Sequence, residues 1–122
     1  IYVVISVKGT SFETGDVVAF YYNNNILVKR VIAEAGDWVD MDDKGNVYVN
    51  NKRLEEPYLK EKAYGHTDIA FPYQVPEDRI FVMGDNRPKS KDSRYVGPVK
   101  KSQIFAKKML VLLPISDIGV KD

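Results

Sequence analysis

Short runs of β-branched and aromatic residues recur along the chain, separated by polar residues. They lie at 17–22, 26–32, 38–41, 47–49, 80–83 and 104–113. Runs of this length and composition, bounded by clusters of Asn, Asp, Gly and Pro, are typical of β-strands. The pattern therefore predicts an all-β domain.

Three polar segments between these runs predict tight turns. They are Asn23-Asn24-Asn25, Asp42-Asp43-Lys44-Gly45-Asn46 and Asn50-Asn51. Asn tolerates the positive φ angles of hairpin turns, and its side chain also hydrogen-bonds to nearby backbone. Three successive hairpins indicate antiparallel sheets.

Two segments are not predicted to form regular structure. Residues 55–64 contain Pro57 and lack an apolar stripe, so a helix is not favoured there. Residues 61–77 are predicted to form a long surface loop that Phe71 and Tyr73 fold down onto the domain. Loops of this length are often functional.

Composition and charge narrow the classes of protein to which the chain can belong. Of its 122 residues, 44% are hydrophobic and 29% are charged, which predicts one folded domain. The 18 basic and 17 acidic residues nearly balance, so no overall field attracts nucleic acid or an anionic membrane. With no cysteine, disulfides, thiolate metal clusters and a cysteine nucleophile are excluded.

The two longest apolar runs, 1–7 and 109–115, are much shorter than the roughly 20 residues that span a bilayer. Neither run is therefore expected to cross a membrane. The chain starts with Ile1 inside an apolar run and without a signal-peptide charge pattern, so we expect it to be one part of a longer protein.

The densest group of polar side chains directly follows the apolar run 80–83. Residues 84–94 carry two carboxylates, two hydroxyls, two guanidinium groups and Asn86. Loops that follow strands often hold functional residues. If the segment is extended, Asp92 and Arg94 lie on one face and can form a bidentate ion pair. A solvated turn would have the same composition.

A second candidate is a lysine inside an apolar run. Strand alternation places Lys29 on one face with Leu27 and Val31, and Arg30 on the other face with Val28. A lysine acts as a general base only when it is neutral, which requires a water-poor site that lowers its pKa from the usual value of about 10.4. The alternative is a lysine at a strand edge whose ammonium group reaches water.

The remaining candidates carry weaker signals. His66 is the only histidine, and without a second metal ligand near it we interpret it as a loop residue. Glu55 and Glu56 are expected to be solvated. Four lysines around residues 104–106 form either a solubilising rim or a patch for anionic lipid headgroups: Lys100, Lys101, Lys107 and Lys108.

Bacterial type I signal peptidases have two C-terminal signature segments, and this chain resembles both of them. The first is matched by Val28-Lys29-Arg30-Val31-Ile32, followed by Gly36-Asp37. The second is matched by Gly84-Asp85-Asn86 together with Ser90-Lys91-Asp92-Ser93-Arg94. Residues 15–20 also resemble the strand that precedes the lysine in that family, and the similarity extends from about Thr14 to Gly97.

The resemblance implies an all-β catalytic domain of a membrane-anchored serine endopeptidase, which removes signal peptides from exported preproteins with a Ser/Lys dyad and without a metal or other cofactor. In this family's pattern Lys29 matches the general base and Ser90 the hydroxyl that orients its amine. Asp92 and Arg94 match a supporting ion pair. Further positions match the surrounding structural shell and the shallow apolar substrate pockets: Gly84, Asp85, Asn86 and Ser93 for the shell, Leu27 and Val28 for the pockets.

The resemblance also implies partners and a location. Signal peptides would bind as an added extended strand. The cell membrane would be reached through an N-terminal anchor, with the catalytic domain on the extracytoplasmic face, and no nucleic acid partner is expected.

The chain departs from the family pattern in three places. The family's nucleophile lies in a Ser-Met-x-Pro-Thr-type segment that this sequence does not contain, and Ser11 is too close to Asp16 to replace it. Ala35 stands where the family commonly has Pro, and residues 107–114 lack the aromatic character often found there. We therefore expect this part of the protein to be inactive by itself.

Two other functions are compatible with these residues. One is a non-catalytic, signal-peptidase-like assembly factor for surface proteins, and the other is a self-cleaving repressor-type domain in the cytoplasm. The second signature segment favours the peptidase over the repressor. Lys29 favours it over the assembly factor, because a protein without catalysis has no need of a base that is costly to bury.

Overall fold

The computed structural model describes residues 2–6, 12–62 and 67–111. These residues form ten strands, a 3₁₀ turn at Lys101–Gln103 and one four-residue helix, α1 (Ser93–Val96). The strands are β1 (Tyr2–Ser6), β2 (Val17–Tyr22), β3 (Asn25–Ala33), β4 (Trp38–Met41), β5 (Val47–Val49), β6 (Lys52–Arg53), β7 (Tyr73–Gln74), β8 (Arg79–Met83), β9 (Val99–Lys100) and β10 (Ile104–Val111). The predicted all-β class is confirmed.

The strands build two antiparallel sheets. The larger sheet has six strands in the order β1-β10-β2-β3-β8-β9, and the smaller has four in the order β6-β5-β4-β7. The nine residues of β3 lie between β2 and β8, with Lys29 opposite Val18 and Arg30 opposite Met83. Residues at the middle of β3 are therefore shielded by a strand on either side.

The three predicted hairpin turns are present. Asn23 and Asn24 join β2 to β3 with φ angles of 49° and 64°, and Asn50 and Asn51 join β5 to β6 with 52° and 67°. The turn between β4 and β5 is held by Asp42, whose carboxylate accepts hydrogen bonds from the backbone of residues 44 and 46. The hydrogen bond from the Asn46 side chain lowers the pKa of Asp42.

Within the described part of the chain, β3 contributes to three clusters of buried apolar residues, two of them large. Leu27 and Val31 pack with Val18, Phe20 and other buried residues on one face of the larger sheet. Near its end, β3 contributes a buried pair, residues 32 and 33, to a second core against the smaller sheet. Lys29 is on the first of these faces because alternation places it between Leu27 and Val31.

The prediction of a long surface loop over residues 61–77 is wrong at Tyr73–Gln74 and Val75, while Phe71 and Tyr73 fold this segment down as expected. Tyr73–Gln74 forms β7 and pairs with β4, and Val75 is buried. The physical reason is that the rings of Phe71 and Tyr73 pack against Phe81, which brings this backbone to the edge of the smaller sheet. His66 lies outside the described residues.

A membrane-spanning element was not predicted for this chain. Within residues 2–6, 12–62 and 67–111, no helix has the length and apolar character needed to traverse a bilayer. The apolar residues after Val111 lie outside the described part of the chain.

Candidate active site

Lys29 is completely enclosed by the larger sheet and the loop above it. Its exposed fraction is 1%, so the alternative of a strand-edge lysine with a hydrated ammonium group is excluded. The other cation of this strand, Arg30, is on the opposite face and keeps 20% of its side-chain surface exposed. Removal from water disfavours the charged form of an amine, which is the condition a lysine base requires.

The Lys29 amine donates a hydrogen bond to the hydroxyl of Ser90. The Nζ–Oγ distance is 3.0 Å, and Ser90 is 5% exposed. The two residues are 61 positions apart in sequence and meet because β8 runs beside β3 and delivers the loop that follows it over Lys29. An amine held against a hydroxyl in a dry site can accept a proton and pass it on.

Gly84 lies directly beside the Lys29–Ser90 pair. A Cβ atom at Gly84 would lie 2.0 Å from Ser90 Oγ, 2.6 Å from Ser90 Cβ and 3.3 Å from Lys29 Nζ. Only glycine leaves room for both side chains, so the position predicted as structural shell is part of the wall of the site.

We expect Gly84→Ala to lower the free energy of unfolding by about 1–3 kcal/mol, because the added methyl group overlaps Ser90. The Ser90→Gly background removes both crowding atoms, so there the same substitution should cost less than about 1 kcal/mol. Denaturant titrations of the four proteins measure both costs. An equal cost in the two backgrounds would contradict the close contact.

Asp92 and Arg94 form a bidentate ion pair, with Arg94 Nε and Nη2 each 2.9 Å from a carboxylate oxygen of Asp92. Each residue is 1% exposed. The pair was expected if the segment is extended. Asp92 is extended, but Arg94 lies in α1, where Asp92 is the N-cap and its side chain also accepts the backbone N–H of Arg94. The pair forms because an N-cap carboxylate points at the first helical residues.

The same side chains fix the loop around the site. Asp92 Oδ2 accepts the backbone N–H of Gly84 at 2.9 Å, and Ser93 Oγ accepts that of Val82 at 2.9 Å. Arg94 Nη2 donates to the carbonyl of Arg87 at 2.9 Å and approaches that of Ser90 at 3.5 Å. These bonds fix the loop backbone at Gly84, which lies beside the Ser90 side chain, and at Arg87.

The remaining predicted residues lie around the Lys29–Ser90 pair. Asp85 is exposed and binds the Arg30 guanidinium at 3.0 and 2.9 Å, an interaction that raises the pKa of Arg30. Asn86 is also exposed. Leu27 and Val28 are both buried, but Leu27 shares the core on the Lys29 face, whereas Val28 packs with Ala19 in a different cluster.

One buried interaction of this loop was not predicted from sequence. Arg87 donates to both carboxylate oxygens of Glu56, and the two side chains are 1% and 2% exposed. The expectation that Glu56 is solvated is therefore wrong, while Glu55 is exposed as expected. Nothing in the local pattern links two residues 31 positions apart, so no sequence signal could have identified the pair.

No metal centre was predicted for this site. In the described ranges, no group of three or more His, Asp or Glu side chains is placed to hold a metal ion.

Comparison with known proteins identifies similar sequences and a similar structure. Residues 1–113 match the family model described as signal peptidase, peptidase S26. Signal peptidase I of Bacillus amyloliquefaciens is 39% identical over 127 residues, covering 97% of this chain and 68% of the relative. Signal peptidase I S of Bacillus subtilis strain 168 is 37% identical over 116 residues, covering 88% of this chain and 62% of the relative. The chain thus spans about two thirds of the length of these relatives.

A solved structure is also similar. The crystal structure of a signal peptidase I from Enterococcus faecalis V583 aligns with a TM-score of 0.65 and 33% identity, covering 78% of this chain and 94% of that one. The similarity to signal peptidases therefore holds for the fold as well as for the sequence.

Proposed function

Since this chain belongs to the signal peptidase family, peptidase S26, we propose that it is the catalytic part of a serine endopeptidase that removes signal peptides from exported preproteins. The observation that carries the proposal is the buried hydrogen bond of 3.0 Å between Lys29 and Ser90. The assembly-factor and repressor alternatives gain no support from the relatives, which are named as signal peptidases.

The proposed chemistry requires the buried Lys29 amine to be neutral when it acts. Lys29 Nζ takes the proton of a serine hydroxyl as that oxygen attacks the scissile carbonyl, and then gives the proton to the leaving amine. Water then attacks the carbonyl carbon of the acyl-enzyme, gives its proton to the same amine, and the serine oxygen leaves and takes that proton back. Ser90 accepts one N–H of Lys29 and so directs the nitrogen lone pair toward the nucleophile.

We propose that the nucleophilic serine comes from a segment of the whole protein that is not in this chain. Two observations support this: the chain spans about two thirds of its relatives, and it contains no Ser-Met-x-Pro segment. In the same proposal an N-terminal anchor holds the protein in the cell membrane, with the catalytic domain on the extracytoplasmic face.

For the substrate, we propose an extended signal-peptide segment with small residues before the cleaved bond. Leu27 is on the Lys29 face of β3 and packs in the core there, and we assign it to a shallow apolar pocket for these small residues. Val28 packs with Ala19 in a different cluster. We therefore assign it to a substrate pocket separate from that of Leu27. An extended ligand that adds to a sheet places alternate side chains in such pockets.

Cleavage of a purified preprotein by the whole protein tests the function, with the new N-terminus determined by sequencing. We expect cleavage after a small residue, and we expect Ser90→Ala to lower kcat by about 10–100-fold, because the amine loses its orienting partner but keeps its basicity.

The matched control for Ser90→Ala is Lys89→Ala, which changes an exposed side chain of the same loop. It should leave kcat unchanged. Absence of any cleavage by the wild-type protein, or a Ser90→Ala variant as active as wild type, would refute the proposed role of the pair.

A further inference from the structure

Arg87 is the second fully buried guanidinium of residues 84–94, and its carboxylate partner comes from a distant part of the chain. Glu56 follows the short strand β6 of the smaller sheet and reaches Arg87 with both oxygens. Both side chains are almost inaccessible, at 1% and 2%. A buried guanidinium needs a buried counter-charge, and Glu56 provides it.

Arg87 is in turn bonded to the backbone that forms the wall of the catalytic pair. Its Nε donates to the carbonyl of Gly84 at 2.9 Å, and its own carbonyl accepts Arg94 Nη2 at 2.9 Å. Gly84 lies directly beside both Ser90 and Lys29, since a Cβ atom added to it would overlap Ser90 and lie 3.3 Å from Lys29 Nζ. Two residues, Arg87 and Gly84, therefore lie between the Glu56 carboxylate and the Lys29–Ser90 pair.

Tyr58 connects the same segment to the other side of the loop. Its hydroxyl donates to Glu56 at 2.9 Å, and its ring lies 3.9 Å below the guanidinium of Arg30, which binds Asp85. Burial, with the added charge of Glu56, raises the pKa of Tyr58, so the phenol stays protonated and remains a donor. The loop is thus held at residue 87 directly and at residue 85 through Arg30.

We propose that Glu56 is a positioning residue for the Lys29–Ser90 pair and that it acts through Arg87. The catalytic consequence rests on the proposed function. Without the carboxylate, the Arg87 guanidinium is left uncompensated in a dry site and must turn toward water. It then releases the Gly84 carbonyl, and a shift of about 1 Å in a catalytic group costs about 100-fold in rate.

Glu56→Gln in the whole protein tests this, with Glu55→Gln as the control because Glu55 is adjacent and exposed. We expect Glu56→Gln to lower kcat by about 10–100-fold and to change KM by less than about twofold, since substrate-binding groups are untouched. Glu56→Asp, which keeps the charge, should recover part of kcat. Glu55→Gln should match wild type.

Amide hydrogen exchange gives a readout that needs no activity. We expect the amides of residues 84–90 to exchange at least about tenfold faster in Glu56→Gln than in Glu55→Gln, because the loop opens more often. If Glu56→Gln does not fold, Tyr58→Phe replaces it. That variant removes one hydrogen bond to Glu56 and should lower kcat by about 2–5-fold and raise the same exchange rates.

Wild-type kcat and wild-type exchange in Glu56→Gln would overturn the inference. So would a loss of activity explained entirely by the fraction of unfolded protein, with no recovery in Glu56→Asp. If the wild-type protein cleaves no preprotein, the proposed function fails, and the exchange rates alone then decide whether Glu56 positions the loop.

Discussion

Lys29→Met is expected to nearly abolish the proposed cleavage, with kcat/KM falling by about 100–10,000-fold, while the domain stays folded. A general base contributes about 100–10,000-fold, and without it the serine hydroxyl is a weak nucleophile. Met has nearly the volume of Lys and fits the apolar face on which Leu27 and Val31 pack. The loss of one hydrogen bond to Ser90 and the loss of a buried amine oppose each other, so the free energy of unfolding should change by about 1 kcal/mol or less.

Lys29→Arg separates basicity from positive charge. A guanidinium keeps the charge and the donors but is not deprotonated at working pH, so this variant should be as inactive as Lys29→Met. The control is Lys89→Met, which changes an exposed lysine of the neighbouring loop and should cleave like wild type. Steady-state cleavage and denaturant titration of each variant are the measurements. Cleavage by Lys29→Arg at a rate near that of wild type would show that the amine is not the base.

The strands and hairpins could be predicted from sequence because each depends on local chemistry. Asn23 and Asn50 stand at turn positions whose positive φ angles few other residues tolerate. Alternation also placed Lys29 on an apolar face correctly, although it could not say whether the amine reaches water. That depended on the loop delivered by β8, which is a tertiary contact.

The candidate site was predictable only in part. Residue patterns identified residues 84–94 as a polar segment, but the assignment of Ser90 to Lys29 required the family resemblance, and the structure then shows the contact. Glu56 had no signal, because a single glutamate among exposed residues looks the same whether or not a distant arginine approaches it. The helical turn at Ser93–Val96 was missed since four residues show no period.

Two buried guanidinium groups hold the loop, and their carboxylates differ in origin. Asp92 is local to Arg94 and also caps α1, whereas Glu56 is brought by the smaller sheet. The local pair organises the loop itself, and the distant pair ties that loop to the rest of the fold. Loss of the local carboxylate should therefore have the larger effect on stability.

Asp92→Ala is expected to lower the free energy of unfolding by about 3–5 kcal/mol. The substitution leaves the Arg94 guanidinium buried without its counter-charge, which by itself has a cost of this size. It also removes the acceptor of the Gly84 N–H and the N-cap of α1. Denaturant titration of the whole protein gives the value, which is a large share of the roughly 5–15 kcal/mol that stabilises a typical domain.

Asp85→Ala is the matched comparison, because Asp85 also forms a bidentate pair with an arginine, but its side chain is 43% exposed. Solvent screens that pair, and water replaces the lost carboxylate, so the expected cost is about 1 kcal/mol or less. The difference between the two variants isolates burial as the cause. Similar losses of stability in both variants would mean that the Asp92–Arg94 pair is hydrated in solution. Some other interaction would then have to fix the loop that holds Ser90 against Lys29.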